Sequence, residues 1–388
     1  MEIRFGASLS QNSSFRRTME DTYVVKADLA VDYPSVGSKN FLVGVFDGHG
    51  GAKTALHTAE VLPEVLADQL RALASLNSGS QEDSSASDSE PSDSEAATAP
   101  ETGSPSEQAD AGASVNASPE ARPMATNSGA GSTPQFTAAH AIDRAFARID
   151  EQLANDNVRL PGSAVAVCLL TEDPTAGRRI LTVGNLGDVK AVLIPGPLDI
   201  FRSPPAELAS RPVYDLSLDH TPRDTDERDR VLRDGGLVFR NRVGGVLAVS
   251  RALGDLSLKP AVSVRPFTVE FDLEQVLRAE GATEGLLVVA SDGLWNVFKS
   301  DDLAAEALSF FERKAGRGGT GPAGSPDPMA TAATATDEDL DSADLADGED
   351  SLCHQLADHL VKTSITSGSM DNITAVVVRV TLPPVTSA

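Results

Sequence analysis

Asp47, Asp188, Asp292 and Asp371 stand at the ends of short apolar runs. FLVGVF leads into Asp47, ILTVGNLG into Asp188 and LLVVAS into Asp292, while Asp371-Asn372 immediately precedes ITAVVVRV. Glu20 and Asp21, in FRRTMEDTY, bring the acids beside apolar runs to six. Taken singly, such an acid is ordinarily a turn residue or a solvated strand end, and FLVGVFDGHGG by itself reads equally well as a hairpin turn. Taken together they pose an electrostatic question. Carboxylates about 4 Å apart repel by ~4 kcal/mol per pair at an effective dielectric of about 20, so a converging set is tolerable only with cations inside it. Oxygen-only donors favour hard, octahedral ions such as magnesium or manganese over zinc. Spacing alone does not establish that the strand ends converge.

The elements that would carry these acids are short β-branched runs closed by Gly, Asp, Asn or Ser: AVAVCLL, RRILTVGNLG, VKAVLI, VLAVSRAL, GLLVVASDG and NITAVVVRV. Two helix pairs interrupt them. GAKTALHTAEVLPEVLADQLRALASL and FTAAHAIDRAFARIDEQL carry apolar residues at helical spacing, as do DDLAAEALSFFERK and SLCHQLADHLVKTSI. Strands before, between and after helix pairs predict a layered α+β domain rather than regular βαβ winding.

Between the members of each pair lies a tract of Ser, Ala, Gly, Pro and acid, about 77–134 and 315–350. Such tracts have too little apolar surface to offset their ordering entropy and are expected to be disordered insertions. Closure entropy grows only logarithmically with loop length, so one domain over residues 1–382 tolerates both. The first tract holds ten acids against Arg122 and the second nine against Arg317, which accounts for 17 of the 25 net negative charges. The remaining chain is mildly acidic, which speaks against a nucleic-acid partner.

Two cysteines, Cys168 and Cys353, are too few for a disulfide framework. The start, MEIRFGASL, lacks a secretion signal, and no segment reaches membrane-spanning length. The expectation is a cytoplasmic or nuclear monomer without membrane contact. Cys353, His354 and His359 in CHQLADHLVK fall on an amphipathic helical repeat and lack a second ligand pair at zinc-site spacing.

The stretches FGASLSQNSSFRRTMEDTY, FLVGVFDGHGG, PGSAVAVCLL, NLGDVKAVL, DHTP, ERDRVLRDGG, VGGVLAVSRALGD, LLVVASDGLWN and GSMDNITAVVV occur in the order found in the metal-dependent serine/threonine protein phosphatases of the PPM, or type 2C, family, which the chain resembles from about residue 5 to 380. The resemblance implies a four-layer α-β-β-α sandwich, two antiparallel sheets packed face to face with flanking helices and the acids gathered at one edge. It implies two Mg2+ or Mn2+ ions per site. Asp47 would bridge them, Gly48 would offer its backbone carbonyl to one, and Asp292 and Asp371 would bind the other. Glu20 and Asp21 would hold metal-bound waters or stand close by. Asp188 with Asp292 matches the pair that holds a third, weaker ion in some members.

The implied chemistry is attack on phosphoserine or phosphothreonine in proteins by a hydroxide bridging the ions, without a phospho-enzyme. His49 is the candidate general acid, since imidazole titrates near neutral pH. Arg16, first in the R-x-x-x-E-D pattern, is the candidate phosphate clamp, ahead of Arg17. His220 and Asp255 match family motifs, with turn or core-supporting roles expected. Ala164 stands where the family usually has threonine, and Asn296 where it commonly has aspartate; neither change removes a metal-binding carboxylate. Two rivals stay open: a fold retained for partner binding, with the acidic tracts as docking or phosphorylation segments, and a two-metal hydrolase of another phosphoester.

Overall fold

Alternation along the strands decides the layers. In β3 (Phe41–His49), Val43 and Val45 enter one apolar cluster while Leu42 and Phe46 enter another on the opposite face. In β13 (Ile373–Thr381), Val376, Val378 and Val380 share the first cluster with β3, whereas Ile373, Ala375 and Val377 face a third. A strand apolar on both faces is covered on both faces, so two sheets lie against each other with helices outside.

These relations come from a computed structural model, which describes residues 1–29, 40–82, 137–156, 158–173, 178–196, 212–314 and 351–384. One sheet runs β1 (Glu2–Ser10), β13, β12 (Glu284–Ala290), β6 (Lys190–Gly196) and β7 (Tyr214–Asp215). The other runs β11 (Phe267–Asp272), β5 (Arg178–Leu186), β4 (Gly162–Asp173), β3 and β2 (Thr22–Lys26), with β10 (Leu253–Gly254) paired to β4. All pairings are antiparallel. Helices α1 (Lys53–Glu82) and α2 (Ala138–Asn155) cover the second sheet through Leu62, Leu66, Ile142, Phe146 and Ile149. On the other face, α6 (Ser300–Lys314) and α7 (Ser351–Thr366) cover the first through Leu303, Ala307, Leu356 and Leu360. This is the expected α-β-β-α sandwich.

Short helices α3 (Thr225–Arg233), α4 (Leu273–Ala279) and α5 (Asp292–Trp295), the hairpin β8 (Val238–Phe239) with β9 (Arg242–Val243), and a single 3-10 turn at Leu256–Leu258 complete the described elements. No helix among the described residues is long and apolar enough to cross a membrane.

Two expectations need correction. Within VLAVSRAL only Leu253 belongs to a named strand, β10: Ser250 N–H donates to His220 O, Ala252 N–H donates to Ser263 O, and Val249 and Ala252 enter a small separate core with Val231, Val243 and Val262. The first acidic tract does not begin at 77 as irregular chain, because α1 stays helical to Glu82. Its remainder, and the tract at 315–350, lie outside the described residues.

Candidate active site

The row Val43, Val45 on β3 points between the sheets, and by the same alternation Asp47 extends it to the sandwich edge. Asp21 stands in the corresponding row of β2, ahead of Tyr23 and Val25. From the opposing sheet, β12 leads through Ser291 into Asp292 at the start of α5, and Asp371 precedes β13. Asp188 occupies the turn between β5 and β6.

Their electrostatics show that these acids meet. Burial and then the charges of Asp21, Asp292, Asp188 and Asp371 push the Asp47 carboxyl well above its ordinary range. Asp21 is pushed from 3.8 to about 7, chiefly by burial, with Asp292 and Asp371 adding to the effect and a 2.7 Å hydrogen bond from Ser291 Oγ opposing it. Asp188 also rises to about 7, by burial first and then by the charges of Asp292 and Asp219, with His49 opposing. Asp292 is raised by burial and by Asp371. Five acids from five chain segments therefore share one electrostatic neighbourhood.

Gly48 makes part of this convergence possible. A Cβ there would lie 2.3 Å from the Glu20 carbonyl oxygen and 3.2 Å from Ala55 Cβ, so the segment carrying Glu20 and Asp21 packs on bare backbone. Asn372 ties the same region together: its Oδ1 accepts from Glu20 N–H at 2.9 Å, and its amide donates to Gln11 O and Thr18 O at 2.8 and 3.0 Å. Glu20 differs from its neighbour. Its carboxylate accepts from Thr18 Oγ1 at 3.2 Å.

Arg16, half exposed, forms an ion pair through Nη2 with Asp371 and reaches Met370 O with Nε at 3.4 Å. It also exerts a favourable field on Asp292. His49 closes β3, with Nε2 at 2.7 Å from Oδ2 of Asp255, a buried carboxylate. That partnership was not legible in the spacing; the only signal was Gly254-Asp255 closing the SRALGD motif. His220 is buried among Arg251, Glu227 and Arg230, and burial lowers it to about 4.

As placed, no three His, Cys, Asp or Glu side chains among the described residues stand close enough together to hold one ion. Asp371 is engaged by Arg16, and Asp292 by Asn296 and Asp47. The chemistry of the donor set nevertheless fits divalent cations. Buried carboxylates that repel one another are easier to ionise together with cations among them.

The family model described as Protein phosphatase 2C matches residues 122–338, a segment that includes Asp188 and Asp292. Protein phosphatase 2C homolog 1 of Schizosaccharomyces pombe is 25% identical over 310 residues, covering 79% of this chain and 64% of that protein. Protein phosphatase 2C 77 of Arabidopsis thaliana is 34% identical over 202 residues, covering 50% and 39%. The chain spans less than two thirds of the length of the curated relatives it matches. Among solved structures, a phosphatase from a pathogenic strain of Toxoplasma gondii superposes with a TM-score of 0.55 at 16% identity, covering 97% of this chain and 94% of that one. At that identity the likeness concerns the fold.

Proposed function

The chain belongs to the protein phosphatase 2C family, and on that premise we propose that it hydrolyses phosphoserine and phosphothreonine in proteins with Mg2+ or Mn2+ as cofactor. The observation that carries this proposal is the shared field of Asp21, Asp47, Asp188, Asp292 and Asp371, with Arg16 and His49 beside it. Asp47, Asp292, Asp371 and the Gly48 carbonyl would hold two ions, Glu20 and Asp21 their water shell, and Asp188 with Asp292 a third. When bound, the ions lower the pKa of water and neutralise charge on the phosphoryl oxygens.

The chain's own residues supply the rest. Arg16 exchanges Asp371 for the phosphate dianion, which a planar guanidinium meets through two parallel hydrogen bonds. His49 gives a proton to the departing serine or threonine oxygen. Cys168 and Cys353 are both buried, and burial pushes the Cys168 thiol up, away from a reactive thiolate. Direct attack by water therefore fits the site better than a phosphocysteine route. The acidic tracts at 77–134 and 315–350 serve as docking or phosphorylation segments.

The test is phosphate release from a phosphothreonine peptide by the purified full chain, with Mn2+ and with excess chelator, alongside an acid quench to trap phosphorylated protein. Turnover that needs Mn2+ and leaves no labelled enzyme is expected. Turnover indifferent to chelator, or a trapped phosphoprotein, would overturn the proposal.

A further inference from the structure

Asp255 has no place among the acids assigned to metal, yet it is a buried carboxyl aimed at His49. Its side chain is 5% exposed, and Oδ2 lies 2.7 Å from His49 Nε2. Among the described residues, His49 is the side chain that hydrogen-bonds it. A buried carboxylate is costly unless it is paired and hydrogen-bonded, so this contact satisfies a strong local requirement.

The fold builds the contact from three strands. His49 of β3 stands opposite Gly162 of β4, and Gly254 of β10 stands opposite the same Gly162 from the other side. A Cβ on Gly162 would lie 2.1 Å from Asp255 Oδ2 and 2.3 Å from His49 Nε2, so the missing side chain is the space in which the pair meets. Asp255 itself has φ 49° and ψ 39°, a left-handed conformation that aspartate and asparagine adopt more readily than most residues. The backbone there is fastened on both sides: Asp255 N–H donates to Pro161 O at 3.2 Å, and Gly254 N–H donates to Asp150 Oδ1 at 2.8 Å. Lys259 Nζ, the nearby cation, is taken up by Asp150 at 3.2 Å and by Ala252 O at 2.9 Å. His49 is thus held by a carboxylate whose own position is fixed from all sides.

We propose that Asp255 is the positioning residue for proton transfer: by accepting Nε2–H it fixes the ring and tautomer of His49, so that Nδ1 carries the proton given to the leaving oxygen. This rests on the phosphatase activity proposed above. In the step itself, water oxygen forms a new bond to phosphorus as the bond from phosphorus to the serine or threonine oxygen breaks. The departing oxygen keeps the electron pair and takes the proton from His49, whose ring returns to neutral.

Leaving-group dependence separates this role from a structural one. A threonine alkoxide needs a proton to leave, whereas the nitrophenolate of p-nitrophenyl phosphate is a stable anion. Asp255→Asn keeps the side-chain shape and the left-handed backbone while removing the charge. With Mn2+ present, the ratio of kcat for a phosphothreonine peptide to kcat for p-nitrophenyl phosphate is expected to fall by about 10- to 100-fold in the variant, part of the 10²- to 10⁴-fold that general acid catalysis supplies. The same ratio falls in His49→Asn, and the double variant loses no more than His49→Asn alone. An unchanged ratio, with both substrates slowed equally, overturns the positioning role. So does additive loss in the double variant. Wild type that cleaves neither substrate overturns the phosphatase proposal instead. Should Asp255→Asn fail to fold, long-range 1H–15N correlation on wild type with Mg2+ decides the matter: neutral His49 protonated at Nε2 is expected, and protonation at Nδ1 alone overturns the proposal.

Discussion

Asp21→Asn is expected to stabilise the metal-free protein above neutral pH and to leave it nearly unchanged in acid. Asp21 is buried and pushed from 3.8 to about 7, so ionising it in the fold is harder than ionising it in the unfolded chain. At ~1.4 kcal/mol per pH unit, the interval corresponds to roughly 4 kcal/mol once both states are ionised. The sign follows from proton binding. Between about pH 4 and pH 7 the native state holds a proton that the unfolded state has lost, so stability falls as pH rises and the full penalty is present above 7. Because the penalty is shared with Asp292 and Asp371, about 1–4 kcal/mol is the gain expected from the substitution. The amide oxygen of the introduced side chain can still accept the Ser291 Oγ hydrogen bond. The assay is urea unfolding of wild type and variant in excess chelator at pH 4 and pH 8, repeated with saturating Mn2+. A gain at pH 8 that disappears at pH 4, and shrinks or reverses with Mn2+, is expected. A variant no more stable than wild type at pH 8, or equally stabilised at both pH values, would refute the claim that ionising the buried Asp21 beside the other acids costs the fold.

Glu227→Gln is expected to cost about 2–4 kcal/mol at neutral pH in urea unfolding, because the buried carboxylate binds Arg230, Arg251 and Ser250 and removing one partner strands buried charge. Burial raises Glu227, but these hydrogen bonds outweigh it and hold the group at about 2, so its stabilisation is present above about 4.5 and fades as pH falls toward 2. Arg16→Lys is expected to raise KM for a phosphopeptide about tenfold or more, read from initial rates, since an ammonium cannot replace the planar two-bond fork. Gly48→Ala is expected to lower the melting temperature by several degrees in calorimetry, because its Cβ would meet the Glu20 carbonyl at 2.3 Å and backbone must move.

Much of the scaffold was legible because its strands obey simple alternation. β12 and β13 are β-branched on both faces, a pattern that only a doubly covered strand shows, and α2 carries its buried residues at helical spacing. The segment VLAVSRAL has the same composition yet stays irregular. It packs in its own small core and bonds across to His220 and Ser263, tertiary choices that composition does not encode. Convergence of the acids was not legible in spacing, since it depends on pairings such as β1 with β13, more than 360 residues apart. The resemblance to a family supplied it. Glu20 and Asp21 are adjacent yet partner differently, Glu20 accepting from Thr18 Oγ1 and Asp21 from Ser291 Oγ, as neighbouring side chains in extended chain point apart. Asp255 was hidden for a related reason, because it reaches His49 only through the shared opposite partner Gly162.

The most direct test of the central claim is titration of Mn2+ into metal-free protein at neutral pH, followed by calorimetry and by the electron-spin signal of free Mn2+, with wild type compared against Asp292→Asn. Two ions bound per wild-type chain, phosphothreonine-peptide turnover that rises with their occupancy, and loss of at least one ion together with turnover in Asp292→Asn are the results predicted. Full turnover in wild type with no ion bound, or in Asp292→Asn with an unchanged ion count, would contradict the assignment of this acidic edge as the metal-dependent catalytic centre.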